Sequence, residues 1–149
     1  MKKLLFAALL LTIVSYCKAQ SADDSVKATI NHFFLAMKNA DILSLKSTLA
    51  ENALLHTVVN DGSKTSVKHE DIAAFVAMIG QLKAGDADEQ IKFETVKTDG
   101  PLASVWTTYQ FYYKGAFSHC GVNSFQLVRI SNEWKIQYII DTRKKTGCK

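Results

Sequence analysis

Ala103-Ser-Val-Trp-Thr-Thr-Tyr-Gln-Phe-Tyr-Tyr-Lys114, Phe117-Ser-His-Cys-Gly-Val-Asn-Ser-Phe-Gln-Leu-Val-Arg-Ile130 and Trp134-Lys-Ile-Gln-Tyr-Ile-Ile-Asp-Thr-Arg143 are three successive runs rich in β-branched and aromatic residues. Only Lys114-Gly115 and Ser131-Asn132-Glu133 separate them, and a fourth such run, 91–98, precedes them across Asp99-Gly100-Pro101. Connections this short join neighbouring antiparallel strands, so the second half of the chain predicts an antiparallel meander. In the run 103–114, Val105, Thr107, Tyr109, Phe111 and Tyr113 share one face, and Ser104, Trp106, Thr108, Gln110 and Tyr112 share the other. Aromatic residues fall on both faces. One face therefore lines a core and a pocket, and the other is covered by a second subunit or by the chain itself.

Upstream, the period lengthens from 2 to 3.6. Val26, Ile30, Phe33, Phe34 and Met37 follow helical spacing after Asp23, Asp24 and Ser25, which offer capping side chains and favourable charge at a helix start. Asp41 caps a shorter helix with Ile42, Leu45 and Leu49 on one side. Residues 53–59 read as a strand closed by the turn Asn60-Asp61-Gly62, and a third helix is expected from Ser66, with Ile72, Phe75, Val76 and Ile79 on its buried face. Helices first and strands second make an α+β domain in which the sheet curls around the helices.

This order resembles the cone-shaped fold of the nuclear transport factor 2-like superfamily. Within it, residues 117–129 with 133–143 look like the signature of a bacterial branch named for lumazine binding. What the resemblance implies is a curved antiparallel sheet wrapped around N-terminal helices. The superfamily holds isomerases, dehydratases and cyclases that need no cofactor, as well as binding and assembly modules, so the fold leaves the function open.

Residues 1–19 read as a signal peptide: a basic start at Lys2 and Lys3, an apolar stretch over 4–14, and the end Cys17-Lys-Ala19. The apolar stretch is shorter than the ~20 residues of a bilayer-spanning helix, so no stable membrane span is expected. Acylation of Cys17 is the alternative, disfavoured by the bulky Tyr16 before it. Residues 20–149 are then one exported domain, periplasmic or secreted. The full chain has 18 Lys and Arg against 14 Asp and Glu; losing Lys2, Lys3 and Lys18 leaves 15 against 14, with no basic face for nucleic acid. Export also leaves two cysteines, Cys120 and Cys148, in an oxidising compartment, which favours one disulfide over two free thiols.

His119, beside Cys120 and Gly121, is the first candidate for a general acid or base or for a ligand contact; the glycine is expected to allow a bulge that aims it at a cavity. Asp141 and Arg143, two apart on one strand, face the same way, as an ion pair or as partners that orient His119. Tyr109, Phe111 and Tyr113 are expected to line the pocket, Asn123 to contact a ligand, and His56 to reach the same pocket. His69 is expected to be solvated in the first turn of the third helix. The four histidines (His32, His56, His69, His119) show no short metal-binding spacing, and there is no Cys-x-x-Cys and no phosphate loop, so neither metal nor cofactor is expected. Two functions stay open: a module that binds a small apolar or aromatic molecule and is expected to form a homodimer, or a cofactor-independent isomerase, dehydratase or cyclase. The isomerase relatives use a pocket carboxylate, for which Asp141 is the only acid in the signature; the dehydratase kind use a histidine, here His119 or His56.

Overall fold

The computed structural model describes residues 21–60 and 62–148; the signal-peptide reading and Cys17 lie outside the described residues. Helix α1 (Ala22–Lys38) starts one turn earlier than its apolar period suggests, because Ser21 is the cap and accepts the Asp24 N–H at 3.0 Å. It ends at Asn39 and Ala40, the latter at φ 54°, and Asp41 caps α2 (Ile42–Ser47) by accepting from Ser44 N–H.

Strand β1 (Leu49–Asn60) turns into β2 (Thr65–Glu70), and α3 (Ile72–Gly80) follows with Asp71 as its cap. Here the structure corrects the expected third helix. Ser66 through Glu70 are strand, antiparallel to β1, and the helix begins only at Ile72. His69 is solvent-exposed as expected, but on β2 rather than on a helix.

Strands β3 (Ala87–Asp99), β4 (Leu102–Tyr113), β5 (Ala116–Ile130) and β6 (Glu133–Lys144) form the expected meander. Lys114-Gly115 and Ser131-Asn132 all have positive φ, the geometry of two-residue hairpin turns whose twist matches the flanking strands. The complete sheet is not purely antiparallel. Its order is β2-β1-β6-β5-β4-β3, and β1 runs parallel to β6.

The helices cover one face of this curved sheet. Val26, Ile30, Phe33, Phe34 and Met37 of α1 pack with Val76 and Ile79 of α3 onto Leu55, Val105, Phe125, Leu127, Ile136 and Ile139. Phe34 meets Phe125 edge-on at 6.1 Å, and Phe33 stacks on Phe75 at 6.2 Å, which ties α1 to the sheet and α3 to α1. On the opposite face, Cys120 and Cys148 form a disulfide that returns the chain end to β5. The two cysteines are 28 positions apart, so chain entropy assigns the bridge about 3 kcal/mol.

Candidate functional site

Strand register sets the inner face out in rows. Leu55, Ile139, Phe125, Val105 and Val96 lie side by side across β1, β6, β5, β4 and β3. Two residues further along, the paired positions are Thr57, Asp141, Asn123 and Thr107, every one of them polar and buried. Next come Arg143, Gly121, Tyr109 and Ile91, and then His119, Phe111 and Glu89. The apolar core thus gives way to polar groups over one dipeptide step in β1, β6, β5 and β4, while β3 keeps Phe93 opposite Thr107.

Past that row the helices and sheet diverge into a cleft of about 570 Å³, walled by Phe75 and Met78 of α3 and by Phe111, Tyr113 and His119, with Glu89, Asp141 and Arg143 at its polar end. A small inner annex of about 60 Å³ continues from it toward the core.

Glu89 is the residue that sequence reasoning missed. Its Oε1 accepts from Asn123 Nδ2 at 2.7 Å. Burial pushes the Glu89 carboxyl up to about 8; the Asn123 hydrogen bond opposes this, and the nearby Asp141 charge adds to it. At neutral pH the group therefore carries its proton. Reading β3 as starting at residue 91 left Glu89 in the polar stretch Asp86-Ala-Asp-Glu-Gln90, whereas the strand begins at Ala87. The signal was parity, because Ala87, Glu89, Ile91 and Phe93 share a face, and an acid in an otherwise apolar set is informative.

Asp141 is only 7% exposed. Its Oδ2 accepts from Arg143 Nε at 2.8 Å and faces the Tyr109 hydroxyl at 3.4 Å, while Oδ1 has no partner in the protein. Tyr109 also donates to the Thr142 carbonyl oxygen at 2.9 Å. Burial, reinforced by Asp141 and Glu89, moves its phenol well above the ordinary range, so Tyr109 acts as a donor. To reach β6 from β4 the ring must cross β5, and it crosses at Gly121. A Cβ on that residue would run into the Thr142 carbonyl oxygen and crowd the Tyr109 ring. Gly121 therefore does not provide the expected bulge. The bulge lies between Phe111 and Tyr112, where Ser118 is left without an opposite residue next to His119.

His119 lines the cleft, its ring 5.1 Å from Phe111 and 5.7 Å from Tyr109, with Nδ1 hydrogen-bonded to Ser118 Oγ at 3.0 Å. Burial holds its imidazole below the usual value, and the Arg143 guanidinium pushes the same way. His119, Phe111, Tyr113, Asp141 and Arg143 thus meet at the cleft; Tyr109 and Asn123 support it from behind by bonding Asp141 and Glu89. His56 does not join them. Its neighbours Leu55 and Thr57 face inward, and its own ring lies on the outer face against His69 and Tyr138. Among the described residues, no group of three His, Cys, Asp or Glu side chains comes together as metal ligands.

Solved structures share this architecture. A nuclear transport factor 2-like protein of unknown function from Shewanella baltica superposes with a TM-score of 0.63 at 12% identity, covering 82% of this chain and 93% of its own. One from Silicibacter pomeroyi gives 0.63 at 15%, covering 80% and 93%. A Nostoc punctiforme domain of unknown function, described as having a cystatin-like fold, gives 0.66 at 17%, covering 87% and 82%. No family model and no curated protein matches the chain. The chain has the nuclear transport factor 2-like fold, an α+β cone of helices held in a curved sheet.

Proposed function

We propose that this chain is an exported binding domain whose cleft holds a small apolar or aromatic molecule by its body and hydrogen-bonds it at one end. The observation that carries the reading is the cleft itself: about 570 Å³, apolar on its walls, with Glu89, Asp141 and Arg143 converging at one end. Export is supported by the sequence of residues 1–19 and by the Cys120–Cys148 bridge, a bond that persists in oxidising compartments. A neutral fluorescent probe, N-phenyl-1-naphthylamine, should bind saturably at one site. Ala74→Trp, which fills the cleft mouth from α3, should abolish that binding while leaving the fold intact. Probe binding that is absent, or indifferent to Ala74→Trp, would refute the reading.

A second copy of the chain is the proposed partner for the outer face. Trp106 and Leu54 stand there 49% and 46% exposed, which is costly for a lone subunit. Light scattering should give twice the chain mass, and Trp106→Lys should return it to one.

One observation favours a catalytic second reading. Glu89, with its carboxyl at about 8, sits near Asp141 in an apolar cleft, and a carboxyl raised toward neutral pH is what proton transfer between carbon atoms of a bound ketone would use. In that case no cofactor is needed, and Glu89→Gln would bind a ketone normally yet stop the exchange of its α-protons with solvent deuterium.

A further inference from the structure

The inner annex has a lining unlike that of the main cleft. Phe33 and Phe34 of α1, Phe75 of α3 and Phe125 of β5 bring four phenyl rings to a space of about 60 Å³, which Glu89, Asp141 and the Arg143 side chain paired with Asp141 also line. That space exceeds the ~10–15 Å³ that admits one water, so it takes a small head group. Aromatic faces are negative, and rings gathered around a small space with a carboxylate among them attract a cation.

The charge balance points the same way. Glu70, Asp71 and Asp141 border the cleft beside the protonated Glu89, and Arg143 is the one lysine or arginine among its lining residues. Arg143 is already matched, by the 2.8 Å contact from Nε to Asp141 Oδ2. Asp141 Oδ1, buried and without a protein partner, is an acceptor left open on a residue that lines both the annex and the cleft. An unpaired buried carboxylate oxygen costs free energy unless a donor meets it.

We propose that the annex is a cage for a primary or singly methylated ammonium group, so that the ligand is an organic amine whose apolar or aromatic body fills the outer cleft. The ammonium donates to Asp141 Oδ1 and sits against the phenyl rings. A trimethylammonium head has no N–H to donate. A carboxylate would meet Asp141 and the negative ring faces. This inference deepens the binding reading above and rests on it.

The test uses four probes of matched length on the oxidised protein at pH 7 and low salt: 2-phenylethylamine, 2-phenylethanol, 3-phenylpropanoate and trimethyl(2-phenylethyl)ammonium. Calorimetric titration should show the amine binding about tenfold or more tighter than the alcohol, with the carboxylate and the quaternary cation weaker still. Asp141→Asn should bring the amine down to the level of the alcohol. Because Asp141 is buried, Glu70→Gln at the half-buried rim is a second variant; it should weaken the amine a few-fold, at low salt only, and leave the alcohol unchanged. Equal binding of amine and alcohol, or tightest binding of the carboxylate or of the quaternary cation, would overturn the proposal while leaving the binding reading in place. Failure of all four probes together with N-phenyl-1-naphthylamine would overturn both.

Discussion

Two neighbouring rows of the inner sheet face, one dipeptide step apart on each strand, follow opposite rules. Leu55, Ile139, Phe125 and Val105 belong to the apolar core under the helices, although three of them also edge the annex. Thr57, Asp141, Asn123 and Thr107 are as deeply buried, yet Thr57 Oγ1, Thr107 Oγ1 and Asp141 Oδ1 have no partner in the protein. Backbone, sheet and burial are shared, so the difference lies in the side chains alone. A row that buried apolar groups throughout would be more stable, because a buried polar atom costs free energy unless it is bonded. The contrast teaches that the first row is there for stability and that the second has another use.

The comparison breaks most visibly in the apolar row. Phe125→Ala removes a ring with 0% exposure that Phe34 packs against edge-on, and should cost about 3–5 kcal/mol in chemical denaturation; because the ring also lines the annex, 2-phenylethylamine should weaken more than N-phenyl-1-naphthylamine once corrected for folded fraction. On the other face of β5, reducing the Cys120–Cys148 bridge should cost about 3 kcal/mol, read as a drop in melting temperature, without moving the cleft. Gly121→Ala belongs to the row beyond the polar one. The new methyl meets the Thr142 carbonyl oxygen and the Tyr109 ring, so a loss of about 1–3 kcal/mol is expected, with weaker probe binding as Tyr109 leaves Asp141.

A change in slope sharpens the comparison through pH. The folded-state value for Glu89, about 8, lies above its unfolded value near 4.5, so the folded state holds the extra proton between the two. Stability from this group is therefore fully present below about 4.5 and is lost as pH rises toward 8, by at most about 1.4 kcal/mol per pH unit. Glu89→Gln keeps an acceptor for Asn123 and should flatten that slope, so that the variant is the more stable protein at pH 8. A slope unchanged in the variant would place the titration elsewhere.

The meander was legible because each of its strands carries period-2 apolar residues between short turns, and α1 because five apolar residues keep helical spacing. Strand β2 was not. Thr65 through His69 are all exposed on an edge strand, so no apolar alternation marks them, and Ser66 mimics a helix cap. The parallel pairing of β1 with β6 joins segments some eighty residues apart, which no local pattern encodes. In the site, Asp141 with Arg143 and His119 with Phe111 were visible as same-face or adjacent-strand sets. Glu89 was hidden by the acidic residues just before it, and the true neighbours of His56 by the assumption that a mid-strand histidine points inward.

The central claim is that the inner cleft, and not the outer face, is where this domain meets a ligand. Backbone amide shifts of isotopically labelled, oxidised protein titrated with 2-phenylethylamine and with N-phenyl-1-naphthylamine test it directly. The account predicts saturable shifts at Phe75, Glu89, Phe111, His119, Asn123 and Asp141, with His56, Trp106 and Tyr138 unmoved; shifts confined to those three outer residues would contradict it.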